Sequence, residues 1–417
     1  MKAFIVPVFT GATVAATSLI FYAMFNKVFG TTLFGTIILV QSIASIVQMT
    51  IVPQSWLYVL SAAKAEQIGR RYALAIRIEI FAGLLGTVVM LALTFLPIKI
   101  LMLHRWEAVL IFIGLWASGS SSHQGYLRAN FAWKRFSAFV VWPSLCRLIL
   151  ILLVLVLPNN LCIYPNSSPV LIAAAFFCFP DLIRLILSSA IGLIYQPFSF
   201  DISEILAALR QIAHNWLFDF GSGIIENADK LLVGWIISPT MLIVYFFARR
   251  IGGAATIAIE PLYAELYRRI QHRPPHERPR REAIAFAIGA TVAVGAAISL
   301  SVAFLLTGFF PTIARYIPQA VATYPGIFIA LLLIDSGVCA NRWARFLFQD
   351  GFGSTFLLIA RLSLRAIFGL ALLTISHFDV SSGIAYSYFI MFACEFVFMI
   401  FALRRPVRDR FSKMAVR

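Results

Sequence analysis

Long apolar runs separated by short polar connections make up most of this chain. A hydrocarbon core about 30 Å thick requires roughly 20 residues of apolar helix to cross it. Runs of about that length recur along the whole sequence and predict an all-α polytopic membrane protein with twelve transmembrane helices. These predicted spans cover residues 3–25, 34–60, 78–98, 108–122, 138–157, 169–195, 214–238, 240–264, 283–308, 321–341, 354–375 and 381–403.

The composition excludes an ordinary soluble domain. Hydrophobic residues make up 61% of the chain and charged residues only 12%, with a mean hydropathy of +0.89. A typical soluble domain has about 25% charged residues. The first apolar run has no small-residue cleavage motif, so we expect it to stay in the protein as a helix.

The excess of basic residues follows membrane topology. The formal net charge is +16. With the N-terminus placed in the cytoplasm, most Lys and Arg residues fall on the cytoplasmic side, and the outer side holds only Lys27, Lys99, Arg105 and Arg315. This asymmetry is the positive-inside rule. It predicts a multi-pass protein with both termini in the cytoplasm, and it removes most of the case for a nucleic-acid partner.

The sequence between the sixth and seventh spans predicts a division into two halves. Ile202, Ile205, Leu206 and Leu209 have the spacing of an amphipathic helix that lies on the membrane surface. The predicted organisation is an N-terminal six-helix bundle, an amphipathic linker helix, a C-terminal six-helix bundle and a basic tail, at residues 1–196, 197–213, 214–403 and 404–417.

Polar residues form a line along the seventh predicted span. Charge inside a bilayer is costly unless it meets a partner or water, so such residues indicate ion pairs or a hydrated cavity. The residues are three or four positions apart, or adjacent, which places them on one helix face. They are Asn215, Asp219, Ser222, Glu226, Asp229 and Lys230.

The turn near Pro239 brings a second set of charges to the same depth. Asp229 and Lys230 lie as far before this turn as Arg250 and Arg249 lie after it. Two interpretations remain open. These residues form an interhelical ion pair that joins spans seven and eight, or they form a substrate-contacting cluster in a cavity.

Four further arginines lie within predicted spans. Asp181 is one helical turn from Arg184, so an ion pair is a sufficient explanation for that arginine. Arg147 lies in the fifth span, and Arg361 and Arg365 in the eleventh need an anion from another helix or from a substrate. Because arginine binds phosphate and carboxylate through paired hydrogen bonds, a cavity with such residues suits a diphosphate.

Several functions are disfavoured by what the sequence lacks. It contains no phosphate-binding loop, dinucleotide fingerprint, zinc-protease motif or hydrolase motif. We therefore predict no catalytic residue, no metal site and no cofactor. The five scattered cysteines are assigned to packing. Glu79 and Glu260, near span ends, are interpreted as interfacial residues without a functional role.

Four stretches carry a family resemblance. Residues 29–35, "FGTTLFG", resemble the turn between the first two helices of the O-antigen and exopolysaccharide flippases, which belong to the multidrug, oligosaccharidyl-lipid and polysaccharide exporter superfamily. Residues 125–136 resemble that family's basic loop before the fifth helix. Residues 226–251 resemble its seventh-to-eighth helix hairpin, and residues 259–269 the end of its eighth helix.

The resemblance implies two six-helix bundles around a central cavity that opens to one side at a time. It implies a transporter and not an enzyme, with a polyprenyl-diphosphate-linked oligosaccharide as substrate. Membrane lipids and the polymerase and glycosyltransferases of the same pathway are the implied partners. The predicted cavity residues are Arg147, Arg184, Asn215, Asp219, Glu226, Asp229, Lys230, Arg249, Arg250, Arg361 and Arg365.

Three alternatives remain at this level. The first is an ion-coupled exporter of small molecules or drugs with the same fold, which would have a net acidic cavity if its substrates are cations. The second is a membrane polysaccharide polymerase or glycosyltransferase, which would need a large outer loop. The third is a structural subunit of a larger complex. The predicted spans contain seven basic and six acidic residues, and this small excess of positive charge slightly favours an anionic substrate.

Overall fold

The protein is described from a computed structural model. The structure describes residues 2–62, 65–97, 104–156, 169–194 and 201–232, together with Leu242, Ile243, Phe246, Phe247 and Arg250. The regular elements within these ranges are helices: α1 Lys2–Phe29, α2 Thr31–Ile51, α3 Trp56–Leu60, α4 Ala65–Leu93, α5 Arg105–Gly119, α6 Ser122–Ala129, α7 Trp133–Val156, α8 Pro169–Ile194 and α9 Ile202–Leu232.

Five stretches of these helices are long and apolar enough to cross a membrane. They are Phe9–Phe29, Thr31–Ile51, Gln67–Leu93, Trp133–Val156 and Val170–Gly192. They correspond to the predicted spans one, two, three, five and six. The fourth predicted span corresponds to α5, whose 15 residues are followed by the short helix α6.

The second predicted span is shorter than expected. The apolar pattern predicts one helix over residues 34–60, but α2 ends at Ile51 and α3 begins at Trp56. Pro53 lies between them. Proline lacks the N–H that a helix needs and disfavours helical backbone in the preceding residue, so the helix is interrupted there.

Helix α2 lies at the centre of the described bundle, in contact with α4, α5 and α9. Helix α1 packs against α7, and α5 packs against α8. The approach of α5 to α8 depends on Gly114, since a Cβ atom at this position would lie 2.8 Å from the Cα atom of Cys178. Small residues of this kind let the backbones of membrane helices approach closely.

We expect Gly114→Ala to lower the free energy of unfolding by about 1–3 kcal/mol, because the added methyl group meets backbone that cannot move aside. Unfolding in mixed micelles would measure this. Gly119→Ala is the matched control, since its Cβ would meet only the end of the Gln48 side chain, which can rotate away. Equal losses of stability in the two variants would contradict this explanation.

Buried apolar residues form two clusters. The larger one is rich in aromatic rings and includes Phe21, Phe25, Phe34 and Phe177, with Phe246 beyond α9 packed into it. The smaller cluster joins α3, α4, the end of α6 and the beginning of α9. We call this region the α3 end of the bundle. The charge pattern predicts that it faces the cytoplasm.

The amphipathic linker helix was predicted to be separate from the seventh span, but the two form one continuous helix. Helix α9 runs without interruption through both. Near its beginning, Ile202, Leu206 and Leu209 are exposed, whereas Ala208 and Ile212 are buried in the smaller cluster. An exposed apolar stripe on a helix is typical of contact with the apolar part of a membrane.

Candidate functional site

A cavity of about 240 Å³ lies inside the N-terminal half of the chain. Helices α1, α2, α5, α7 and α8 enclose it, and Arg250, beyond α9, completes the wall. We call this cavity the arginine pocket. Its ionisable and hydrogen-bonding residues are Ser18, Tyr22, Gln41, Ser118, Ser144, Arg147, Asp181, Arg184 and Arg250.

Asp181 lies between two arginines. Its Oδ1 is 3.2 Å from Nη2 of Arg184, one turn further along α8, and its Oδ2 accepts a hydrogen bond from Nη2 of Arg147 on α7. The three side chains are 2%, 7% and 19% exposed for Asp181, Arg184 and Arg147 respectively. The ion pair suggested by the spacing of Asp181 and Arg184 is therefore present, and a second helix contributes to it.

Both of these guanidinium groups are also held by backbone carbonyl groups. Arg147 donates to the carbonyl oxygen of Phe177 at 3.2 Å. Arg184 donates to those of Ala117 and Ser118 at 3.1 and 2.7 Å. Those two carbonyls belong to the last turn of α5, where a helix leaves its C=O groups without partners in the helix. The two arginines are thus fixed in position by several bonds each.

Arg250 is held differently. Its Nη2 donates to the hydroxyl of Tyr22 at 3.0 Å, and its guanidinium carbon lies 4.9 Å from the ring centre of Tyr22 and 5.2 Å from that of Phe246. Aromatic faces attract such cations. Within the part of the chain that the structure describes, no carboxylate forms an ion pair with Arg250. Among the described residues, its one hydrogen bond is the one to Tyr22.

The described residues that line the arginine pocket carry a net positive charge. Three guanidinium groups and one carboxylate give a formal charge of +2 among its lining residues. Such a pocket attracts an anion and repels a cation. Because the pocket is small and lies within an apolar bundle, the attraction is stronger than it would be in water.

The structure brings together three of the predicted cavity residues, Arg147, Arg184 and Arg250. Lys230 does not line this pocket and donates instead to Oδ1 of Asn227 at 3.1 Å. The structure does not describe the side chains of the remaining predicted cavity residues. They are Asn215, Asp219, Glu226, Asp229, Arg249, Arg361 and Arg365.

Sequence reasoning missed the neutral polar residues of the pocket. Tyr22, Gln41 and Ser18 lie within apolar runs, and nothing in their local sequence distinguishes them from packing residues. The sequence could have predicted Ser144 as a pocket residue, because it is three positions before Arg147 in α7 and therefore lies on the same helix face.

The interpretation of Glu79 as an interfacial residue is wrong. Its side chain is completely buried in α4, where it accepts hydrogen bonds from Ser55 and from Ser120 to Ser122. The local sequence suggests that a membrane span ends near Glu79. In the structure, the connection between α2 and α3 and the connection between α5 and α6 pack over its side chain. A buried carboxylate requires such donors because removing it from water is costly.

A second buried polar group, Tyr72 with His123, lies next to the break between α5 and α6. The hydroxyl of Tyr72 donates to the carbonyl oxygen of Ser188 at 2.5 Å and lies 2.8 Å from Nδ1 of His123. Burial, with a smaller contribution from Arg184, lowers the pKa of His123 to about 4. The imidazole is therefore neutral at neutral pH, and its Nδ1–H donates to the oxygen of Tyr72.

Comparison with known proteins gives similarity at the level of structure. A mutant of the Vibrio cholerae MATE transporter VcmN aligns with a TM-score of 0.59 and 14% identity over 97% of this chain and 96% of that one. The eukaryotic MATE transporter AtDTX14 aligns with a TM-score of 0.58 and 11% identity over 99% and 98%. An inward-facing multidrug resistance MATE transporter of the MOP superfamily aligns with a TM-score of 0.52 and 14% identity over 96% and 94%.

No family model and no curated protein matches the chain. The similar structures are MATE transporters, one of them a multidrug resistance transporter, and at 11–14% identity they show the fold alone. The resemblance to O-antigen flippases therefore stays a prediction. Almost the whole chain takes part in these alignments. The predicted all-α polytopic fold is confirmed: this chain has the fold of the MATE transporters.

Proposed function

We propose that this chain is an alternating-access transporter that binds the anionic group of its substrate in the arginine pocket. The observation that carries this proposal is Arg250. It is a cation that faces the pocket, is held by an aromatic ring and one hydroxyl, and has no carboxylate partner among the described residues. Asp181 already neutralises one of the other two arginines.

The size of the pocket limits what it can hold. Ligand pockets usually measure about 300–1,000 Å³. A cavity of about 240 Å³ therefore suits one small organic anion or the diphosphate part of a larger molecule. A whole oligosaccharide would need additional space outside this pocket.

Two classes of substrate share this chemistry. The similar solved structures favour an exporter of small molecules, since one of them is a multidrug resistance transporter. The pocket charge then specifies anionic compounds. The second candidate is a flippase for polyprenyl-diphosphate-linked oligosaccharide, favoured by the sequence resemblance in residues 29–35 and 226–251. For either substrate the sequence has no ATP-binding motif, so an ion gradient or the membrane potential would supply the energy.

Deletion of the gene distinguishes these candidates. We expect the deletion strain to retain anionic fluorescent dyes that the parent strain exports, with no change in the retention of cationic dyes. Loss of surface polysaccharide, with lipid-linked precursor accumulating in the cell, would instead identify the flippase. Each phenotype should be restored by the wild-type chain and not by Arg250→Gln at equal expression. Retention of cationic dyes alone would contradict the proposed anionic substrate.

A further inference from the structure

Two side chains of opposite charge bind the break between α5 and α6, one on each side. Helix α5 ends at Gly119 and α6 begins at Ser122. A break of this kind leaves carbonyl groups without helical partners on one side and N–H groups without partners on the other. In this structure Arg184 binds the free carbonyls, and Glu79 binds the free N–H groups.

Among the described residues, the hydrogen-bond donors to Glu79 are neutral groups. The backbone N–H groups of Ser121 and Ser122 each lie 3.1 Å from its Oε1. The hydroxyls of Ser120 and Ser122 donate to Oε2 at 2.7 and 2.8 Å, and the hydroxyl of Ser55 donates to Oε1. No Lys or Arg of the described residues forms an ion pair with Glu79. The partial positive charge at the beginning of α6 adds to the stabilisation of this carboxylate.

The same serines connect Glu79 to a second helix break. The hydroxyl oxygen of Ser121 accepts hydrogen bonds from the N–H groups of Ser55 and Trp56 at 3.1 and 3.2 Å, and donates to Glu79 at 3.1 Å. Nε1 of Trp116 donates to the backbone oxygen of Glu79 at 3.1 Å. Glu79 therefore links α4 to the last turn of α5 through its backbone oxygen, and to the beginnings of α3 and α6 through its carboxylate.

We infer that Glu79 is a positioning residue for the arginine pocket: it holds the α5–α6 break, and the carbonyl groups on the other side of that break hold Arg184. The carbonyls of Ala117 and Ser118 and the N–H groups of Ser121 and Ser122 are only a few residues apart in the chain. Movement of one side of the break therefore moves the other. This inference rests on the proposed function for its effect on substrate, but the contacts themselves do not depend on that function.

The test measures binding of inorganic pyrophosphate to purified full-length protein in detergent. We expect Glu79→Gln to raise the Kd for pyrophosphate about fivefold, because residues in one network are energetically coupled. Glu79→Asp keeps the negative charge and should recover part of this affinity. Glu204→Gln is the matched control, since Glu204 pairs with Arg70 at the surface, and its Kd should be unchanged.

A double-mutant cycle separates positioning from general destabilisation. If Glu79 acts through Arg184, the Kd of the double variant Glu79→Gln, Arg184→Gln equals that of Arg184→Gln alone. If the two substitutions raise the Kd by independent factors, so that the double variant shows their product, the inference is overturned. If Glu79→Gln does not fold, Ser120→Ala removes one donor from the same carboxylate and takes its place in the cycle.

Amide hydrogen exchange tests the inference without a ligand. We expect faster exchange across residues 117–122 in both Glu79→Gln and Arg184→Gln, because each removes the partner of one side of the break. If the wild-type protein binds no pyrophosphate, the proposed anion site fails, and exchange alone decides the role of Glu79. Unchanged exchange in a folded Glu79→Gln protein would overturn that role.

Discussion

Replacing Arg250 with glutamine is expected to raise the Kd for pyrophosphate about 10- to 100-fold, since a hydrogen bond to a charged group is worth about 1.5–3 kcal/mol. The protein should keep its stability, because Arg250 has no ion-pair partner among the described residues and contacts mainly the ring and hydroxyl of Tyr22. Calorimetry on the purified protein measures the Kd, and thermal unfolding in detergent measures the stability.

The matched control for Arg250 is Arg210, which is exposed on α9. Arg210→Gln removes the same charge from the chain and should leave the Kd unchanged. Arg250→Lys keeps the charge but loses the planar pair of donors, so an intermediate affinity is expected. Wild-type affinity in Arg250→Gln would show that this residue does not bind the anion.

Replacing Asp181 with asparagine is expected to lower the free energy of unfolding by about 3–5 kcal/mol, because it leaves the buried Arg184 and the partly buried Arg147 without their carboxylate partner. Arg147 and Arg184 would then face each other across a pocket that already contains Arg250. Equilibrium unfolding in mixed micelles measures this loss. We also expect poor accumulation of the variant in membranes.

Glu204→Gln provides the comparison for Asp181→Asn. It breaks the ion pair with Arg70, whose side chain is 59% exposed, against 39% for Glu204. Exposed pairs contribute about 0–1 kcal/mol, so little change in stability is expected. Restored stability in the triple variant Asp181→Asn, Arg147→Gln, Arg184→Gln would support the explanation, since it removes the unpaired charges. Wild-type stability in Asp181→Asn alone would contradict it.

These two variants distinguish Arg250 from Arg147 and Arg184, whose positive charge Asp181 partly neutralises. Arg147 and Arg184 are each bound by Asp181 and by backbone carbonyls, so much of their hydrogen-bonding capacity is used within the protein. Among the described residues, Arg250 uses less of that capacity. The sequence predicted all three arginines as cavity residues, with Asp181 as a partner for Arg184 and an interhelical ion pair with Asp229 left open for Arg250.

The helical membrane architecture could be predicted from local sequence because it depends on local properties. A backbone in lipid must satisfy its own hydrogen bonds, so a long apolar run becomes a helix wherever it lies in the fold. The ion pair of Asp181 with Arg184 is also local, because residues three apart share one helix face. The interruption after Ile51 follows from Pro53 by the same kind of argument, although the apolar pattern alone concealed it.

Contacts between helices could not be predicted in this way. The meeting of Arg250 with Tyr22 joins residues 228 positions apart, and the burial of Glu79 depends on serines 24 and 41–43 positions away. Such contacts depend on how each helix is rotated and how deep it lies, which its own apolar pattern does not specify. The sequence by itself determined the apolar helices and the charges within them, and only the tertiary structure decided which of those charges share a pocket, because that depends on packing between distant helices.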